Sequence, residues 1–383
     1  MGIEQREKAI RKKIVRLGSE SMSKCIILGA GASFGYDESL TEIQKPPLTD
    51  EVFRKGYRLG ILSKADYPRL YDKLVFYFKN ILGDSSQEPT GRIDVEVFLS
   101  WLAERFEDLS QRVPSPSHEG HEERDSIFRE INSFQGAIGE AWYFLFDIIR
   151  YYSISYKPRF DAYRRLALHY FDQPYSVISL NYDTVFEFAI LSAGLGISYG
   201  IGDGVPLSVP IAKVHGSVNW VNPIGRGIAV EGLSGNDVLP AIAPFVYSNR
   251  INVGAPRILD LRSLHTIRVK DLLRSGTDYD EPILILPIGN HKDYEKVGIY
   301  QQMWGAAERM IDQAKELVFI GTTLRKQDTR LCEAVGKNLK EGTRLVIVGG
   351  KDKLIATLRD VLPWSLPDSI ESFDSFFQYA KTL

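Results

Sequence analysis

Lys24-Cys25-Ile26-Ile27-Leu28-Gly29-Ala30-Gly31-Ala32-Ser33 is the stretch on which the reading of this chain turns. A short apolar run closed by a glycine cluster fits a buried parallel-sheet strand that stops in a tight turn, although so short a run also fits a buried helix segment. Gly29 and Gly31 have no Cβ, so the backbone there can turn sharply and approach a ligand closely. A helix starting after the turn would present free N–H groups and its positive dipole end to a diphosphate. A glycine-rich turn alone is weak evidence, and its weight depends on what else in the chain converges on it.

The 383 residues suffice for one large domain or two ordinary ones. A hydrophobic fraction of 44% and a charged fraction of 25% are those of a globular protein. A net charge of -2 gives no electrostatic reason to expect nucleic acid as a direct partner. The two cysteines, Cys25 and Cys332, are too few for a disulfide framework or a four-cysteine zinc site, and both read as core. No apolar run is long enough to span a bilayer and no signal-peptide core is present, so a cytoplasmic protein without a membrane partner is expected.

Outward from the opening stretch, residues 1–22 read as an N-terminal helix, with Ile10, Ile14 and Leu17 on one face of a Lys/Arg-rich segment. Residues 23–383 read as the main domain. Within it Gln44 to Phe53 reads as a loop entering a helix, capped by Thr49 or Asp50. Residues 55–171 read as an inserted helical module with aromatic stripes at Asp94–Leu102 and Trp142–Ile149. His118 and His121 lie three apart across a glycine, not four apart on a helix, so they read as a solvated loop and no metal site is expected. Further strands are expected at Tyr175–Leu180, Val209–Val214, Pro282–Leu286, Leu317–Ile320 and Arg344–Val348, with a crossover helix over Tyr300–Leu317. Residues 222–277 are loop-rich and give no clear assignment. Strands alternating with helical runs predict an α/β fold, a Rossmann-like parallel sheet.

The first three of these sheet strands, counting the opening stretch, end in a polar or glycine break, at Gly29, at Asn181-Tyr182-Asp183 and at His215-Gly216-Ser217. In open parallel sheets ligands bind outside the carboxyl ends of the strands. The three breaks are therefore expected to line one crevice.

Together these segments resemble the signature motifs of the sirtuin fold. Gly321-Thr322-Thr323-Leu324, with Asp328 beyond, resembles the late glycine turn of the same fold. The chain lacks the four-cysteine zinc module of protein-deacylating sirtuins and carries Phe34-Gly35-Tyr36-Asp37 where their Gly-Ile-Pro-x-Phe-Arg segment would begin. It is instead similar to the sirtuin-like domains of bacterial anti-phage defence systems, whose pattern includes Asn-Tyr-Asp and the His215-to-Trp220 segment. That resemblance implies an NAD+ glycohydrolase that cleaves NAD to nicotinamide and ADP-ribose and starves an infected cell (abortive infection). It also implies a homo-oligomer that works with a partner protein in trans, foremost a HerA-like DNA-translocating ATPase.

On that reading NAD is the substrate and no separate cofactor is expected. Gly29, Ala30, Gly31, Ala32, Ser33, Gly321 and Thr322 would hold the dinucleotide, Ser33 and the N–H groups after Gly31 facing the diphosphate. Cleaving the nicotinamide–ribose bond passes through an oxocarbenium-like state, as glycoside cleavage does. Asn181 would hold a water or a ribose hydroxyl, and His215 would act as general base. Asp183 would either accept from the carboxamide or order its loop.

Rival readings remain. Gly31-Ala32-Ser33-Phe34-Gly35 matches a Gly-x-Ser-x-Gly nucleophile elbow, with Ser33, Asp183 and His215 in the chain order of a hydrolase triad. The others are a non-catalytic scaffold that binds NAD or ADP-ribose, and a protein deacylase.

Overall fold

The computed structural model describes residues 23–84, 88–112, 121–200, 207–224, 255–273, 279–285, 298–325, 328–367 and 370–383. The helix expected over residues 1–22, the loop carrying His118, and much of 222–277 lie outside these residues. Among the described residues the strands are, in chain order, β1 (Lys24–Leu28), β2 (Tyr175–Ser179), β3 (Gly196–Tyr199), β4 (Ser208–Lys213), β5 (Gly216–Ile224), β6 (Arg257–Ile258), β7 (Tyr279–Leu284), β8 (Glu316–Ile320), β9 (Arg344–Val348) and β10 (Glu371–Phe373). The chain divides into two compact units, one made of residues up to Pro46 with Ser155–Ser217 and Asp293–Leu383, the other of Pro47–Ile154 with Val218–Lys292.

The first unit is an α/β, Rossmann-like layer built on a seven-stranded sheet in the order β10-β9-β8-β1-β2-β4-β3. Every neighbouring pair in it is parallel. β1 lies in the middle and all five of its residues are buried, which explains why its apolar residues run on without alternating: helices cover both faces of a parallel sheet. Ile26, Leu28, Val177, Val318 and Ile320 join Tyr163, Leu166 and Phe186 in one core. The helix Gly298–Gln313 packs on β2 and β4. Burial pushes the Cys25 thiol up to about 12, so this cysteine is packing rather than chemistry.

The amino end of the sheet is closed by charges in register. Lys24 lies opposite Glu316, and Glu316 opposite Arg344. The Lys24–Glu316 pair is 3.0 Å apart and the Arg344–Glu316 pair 2.9 Å, and Arg344 also pairs with Glu371. Burial alone would lower the Lys24 ammonium; Tyr379 and Glu316 beside it outweigh this and leave it raised.

One sequence expectation changes here, and two strands are added. The strand expected at Pro282–Leu286 is β7, and it belongs to a separate three-stranded sheet, β6-β5-β7. The edge strands β3 and β10 gave no sequence signal because their residues are only half-buried or exposed, so neither carries a continuous apolar run.

The second unit holds the helices Val52–Arg58, Pro68–Asn80, Val95–Gln111 and His121–Ser155. Phe53 stacks on Phe144 and meets Phe98 edge-on, and Trp101 meets Tyr77 and Phe134. Neither Thr49 nor Asp50 caps the first of these helices, whose N-cap is Glu51. Thr49 instead donates to Asp94, Asp50 pairs with Arg92, and Asp94 caps Val95–Gln111 through the Glu96 N–H.

The helix Pro68–Asn80 is capped from a distance. Glu140 Oε2 accepts from the Leu70 N–H at 2.9 Å, an acceptor in the first turn where backbone donors lack partners. Burial pushes the Glu140 carboxyl up to about 7, against the opposing pull of the Leu70 N–H and Arg69. A carboxyl raised on folding favours the fold below its unfolded value and loses that contribution as pH rises through its folded value. Unfolding by denaturant is therefore expected to show stability declining between pH 4.5 and 8, with on the order of 3 kcal/mol of the decline due to this group. Glu140→Gln keeps the acceptor and removes the titration, so its stability profile over that range should be correspondingly flatter. An unchanged slope would rule this assignment out.

Candidate functional site

The sheet's strand order reverses beside β1: the chain lays β2, β4 and β3 on one side and β8, β9 and β10 on the other. The turns after β1 and β8 thus leave the sheet at its topological switch point, where α/β proteins form ligand crevices. These two turns are pressed together. The Gly29 N–H donates to Ile320 O and the Gly31 N–H to Gly321 O, both at 2.9 Å. A Cβ on Gly29 would lie 2.6 Å from Gly321 O and from Thr322 Cβ, and one on Gly321 would lie 2.0 Å from the Ala32 nitrogen. Gly321 also has φ +62°, in the left-handed region. Sequence reading assigns Gly29 and Gly31 to close approach to a ligand; what they approach here is the Gly321 turn.

Two of the groups expected to meet a diphosphate, the Ala32 N–H and the Ser33 hydroxyl, are engaged by the protein itself. The Ala32 N–H donates to Gly29 O. Ser33 is sealed in the core, and its Oγ accepts from Asn181 Nδ2 at 3.1 Å and shares a hydrogen bond with Tyr163 OH at 2.9 Å. Ser33 turns inward because it sits with Ala32 on the buried side of the short helix Ala30–Phe34, leaving Ala30, Gly31 and Phe34 as the half-buried positions. Thr322 Oγ1 accepts from the Leu324 N–H.

Asn181 follows β2 and is 7% exposed. Its Nδ2 donates both hydrogens inward, to Gly29 O at 2.9 Å and to Ser33 Oγ. Gly29 O can only accept, which settles the orientation of the amide. Oδ1 keeps solvent access and takes no hydrogen bond among the described residues. The residue thus offers an acceptor to the open side and no donor.

His215 follows β4 and is 8% exposed. Its Nδ1 lies 3.3 Å from Leu180 O, and a carbonyl can only accept, so Nδ1 carries the hydrogen in that bond. Nε2 is then the proton-accepting nitrogen, and Asp328 Oδ2 lies 3.1 Å from it as a charge contact without hydrogen-bond alignment. A carboxylate there stabilises the ring once it is charged. Leu180 and Asn181 are consecutive, so one turn touches both the His215 ring and the Gly29 backbone. Asp183 orders this turn: its Oδ1 accepts from the Val185 N–H at 3.0 Å, at the start of the helix Val185–Ser192.

The structure brings together Gly29 to Ser33, Asn181, Asp183, His215, Gly321 and Thr322. Sequence reading gave no role to Asp328, Tyr163 or Lys213. Asp328 stands in the segment that resembles the late glycine turn, which was the signal available for it. Tyr163 and Lys213 are fully buried and offered none. No protein-family model matches the chain and no curated protein matches it. Solved structures similar to it include "Sir2-p53 peptide-NAD+" (12% identity, TM-score 0.36, 97% of this chain and 95% of that chain). Others are "The Structural basis of Sirtuin Substrate Affinity" (13%, 0.38, 97% and 96%) and "Structural Basis for the Mechanism and Regulation of Sir2 Enzymes" (12%, 0.36, 97% and 94%).

The contact between turns can be separated from the cost of a positive φ. Gly342 has φ +83°, and a Cβ placed on it would meet nothing within 4 Å. Gly342→Ala should cost about 1–2 kcal/mol of unfolding free energy. Gly321→Ala is expected to cost at least about 2 kcal/mol more, because the two turns must part as well. Equal losses in denaturant titrations would show that the close approach is unimportant.

Proposed function

We propose that the protein hydrolyses NAD+ to nicotinamide and ADP-ribose, and that it acts in anti-phage defence by depleting NAD in the cytoplasm. The observation that supports this reading is the Leu180–Asn181 turn, which touches the His215 ring through Leu180 O and the backbone of the paired glycine turns through the Asn181 amide. The segments that carry these groups are those that resemble the sirtuin motifs.

In this mechanism the dinucleotide lies over Ala30, Gly31, Gly321 and Thr322, on the outer side of the two paired turns. The bond between the nicotinamide nitrogen and the ribose carbon breaks, and the electron pair leaves with nicotinamide. Positive charge grows on the ribose, and Asn181 Oδ1 accepts from the attacking water or a ribose hydroxyl. Water supplies the new oxygen–carbon bond, and its proton passes to His215 Nε2, directly or through a ribose hydroxyl; that nitrogen is buried beside Asp328, so the side chains over it must give way as the ligand enters. General-base assistance of this kind is worth about 10²–10⁴ in rate.

The nucleophile-elbow alternative needs Ser33 beside His215. Ser33 Oγ is instead held by Tyr163 and Asn181, and the His215 nitrogens face Leu180 and Asp328. Activity is proposed to require assembly of several copies and a partner in trans, foremost a HerA-like ATPase.

Purified protein incubated with NAD, alone and with a partner encoded beside it, is expected to release nicotinamide and ADP-ribose on chromatography. His215→Ala and Asn181→Ala should each slow release by about 100-fold or more while the protein stays folded. Intact NAD in every mixture, or full activity in both variants, would end this reading. Light scattering should show an oligomer, and a fully active strict monomer would count against the assembly requirement.

A further inference from the structure

Lys213, the last residue of β4, has a side chain with 0% exposure, and Glu187 has one with 3%. Their Nζ–Oε1 separation is 2.9 Å, and Lys213 Nζ also donates to the backbone carbonyl of Asp183. Burial pushes the Glu187 carboxyl up, and Lys213 pulls it the other way. Taking an ammonium and a carboxylate out of water costs several kcal/mol each, and a well-packed apolar pair is often as stable or more so. Stability alone therefore gives no reason for this pair.

The register supplies one. Lys213 pairs with Ser179 across β4 and β2. Asn181 lies two residues beyond Ser179, and His215 two beyond Lys213. The Asp183 carbonyl belongs to the Asn181 turn, and the lysine that holds it opens the His215 turn. An apolar residue cannot donate to that carbonyl. Ser217 Oγ on Tyr182 O, at 3.5 Å, is a weaker tie between the same turns.

We propose that Lys213, neutralised by Glu187, is a positioning residue that locks the Asn181–Asp183 turn against the His215 turn and so sets the geometry of the reacting groups. This rests on Asn181 and His215 forming the NAD-cleaving centre, so its test has an arm that does not depend on activity.

Lys213→Met/Glu187→Leu removes the hydrogen bond to the Asp183 carbonyl without leaving a buried charge unpaired. In the uniformly ¹⁵N-labelled full chain, the Asn181 side-chain amide is identified by the signals missing from Asn181→Asp. The double variant should exchange these amide hydrogens at least about tenfold faster than the wild type. Its kcat should fall at least about tenfold with KM for NAD within about threefold. Glu187→Asp, which keeps the lysine donor and its counter-charge, should retain slow exchange and kcat, and it decides the matter if the double variant does not fold. Slow exchange in a double variant melting within about 5 °C of the wild type would overturn the proposal, as would fast exchange in a folded Glu187→Asp. If the wild type proves inactive toward NAD, the proposed function fails, and the exchange measurement still decides the positioning role.

Discussion

Two turns that leave the middle of a parallel sheet touch through bare backbone, and the rest of the site depends on that contact. Gly31 donates to Gly321 O, and each turn occupies space that a side chain on the other would need. Close packing of this kind tolerates no added methyl group without displacement of main chain. It also leaves Gly29 O placed to receive the Asn181 amide, so a contact between β1 and β8 fixes a side chain that follows β2.

The polar groups around this contact are sorted by direction. Donors point inward: both hydrogens of Asn181 Nδ2, the Lys213 ammonium and the Ala32 N–H all meet acceptors of the protein itself. What remains is the Asn181 Oδ1 acceptor and, beside the same turn, the His215 ring with its Nε2 buried against Asp328. A surface of acceptors and a proton-accepting ring suits a reaction in which positive charge develops on the ligand, because groups already in place need not reorganise as that charge appears. At the opposite end of the sheet, Lys24, Glu316, Arg344 and Glu371 close the strands with alternating charge.

The central strands were legible in the sequence because burial on both faces writes an unbroken apolar run, as in Cys25 to Leu28 and Leu345 to Val348. Their ends were legible because glycine and polar residues interrupt those runs. The half-buried edge strands left no such mark, and β7 had the composition of a sheet strand without any indication of which sheet it joins. Within the candidate site, Gly29, Asn181 and His215 could be picked out from their places on strand ends. Ser33 could not be oriented, since the direction of a side chain on a five-residue helix depends on what packs beneath it. Lys213 and Glu187 were hidden because charged residues are ordinarily read as surface, and only coordinates reveal that each neutralises the other.

The inward commitment of Asn181's nitrogen also bears on how the protein ages. Spontaneous deamidation of an asparagine side chain replaces its nitrogen with oxygen while barely altering its size. At most positions that change is mild. Here it would set a carboxylate oxygen against the Gly29 carbonyl, 2.9 Å from where the nitrogen now donates, turning attraction into repulsion at the join between two strands. A single loss of ammonia would therefore loosen the tie between the turns after β1 and β2.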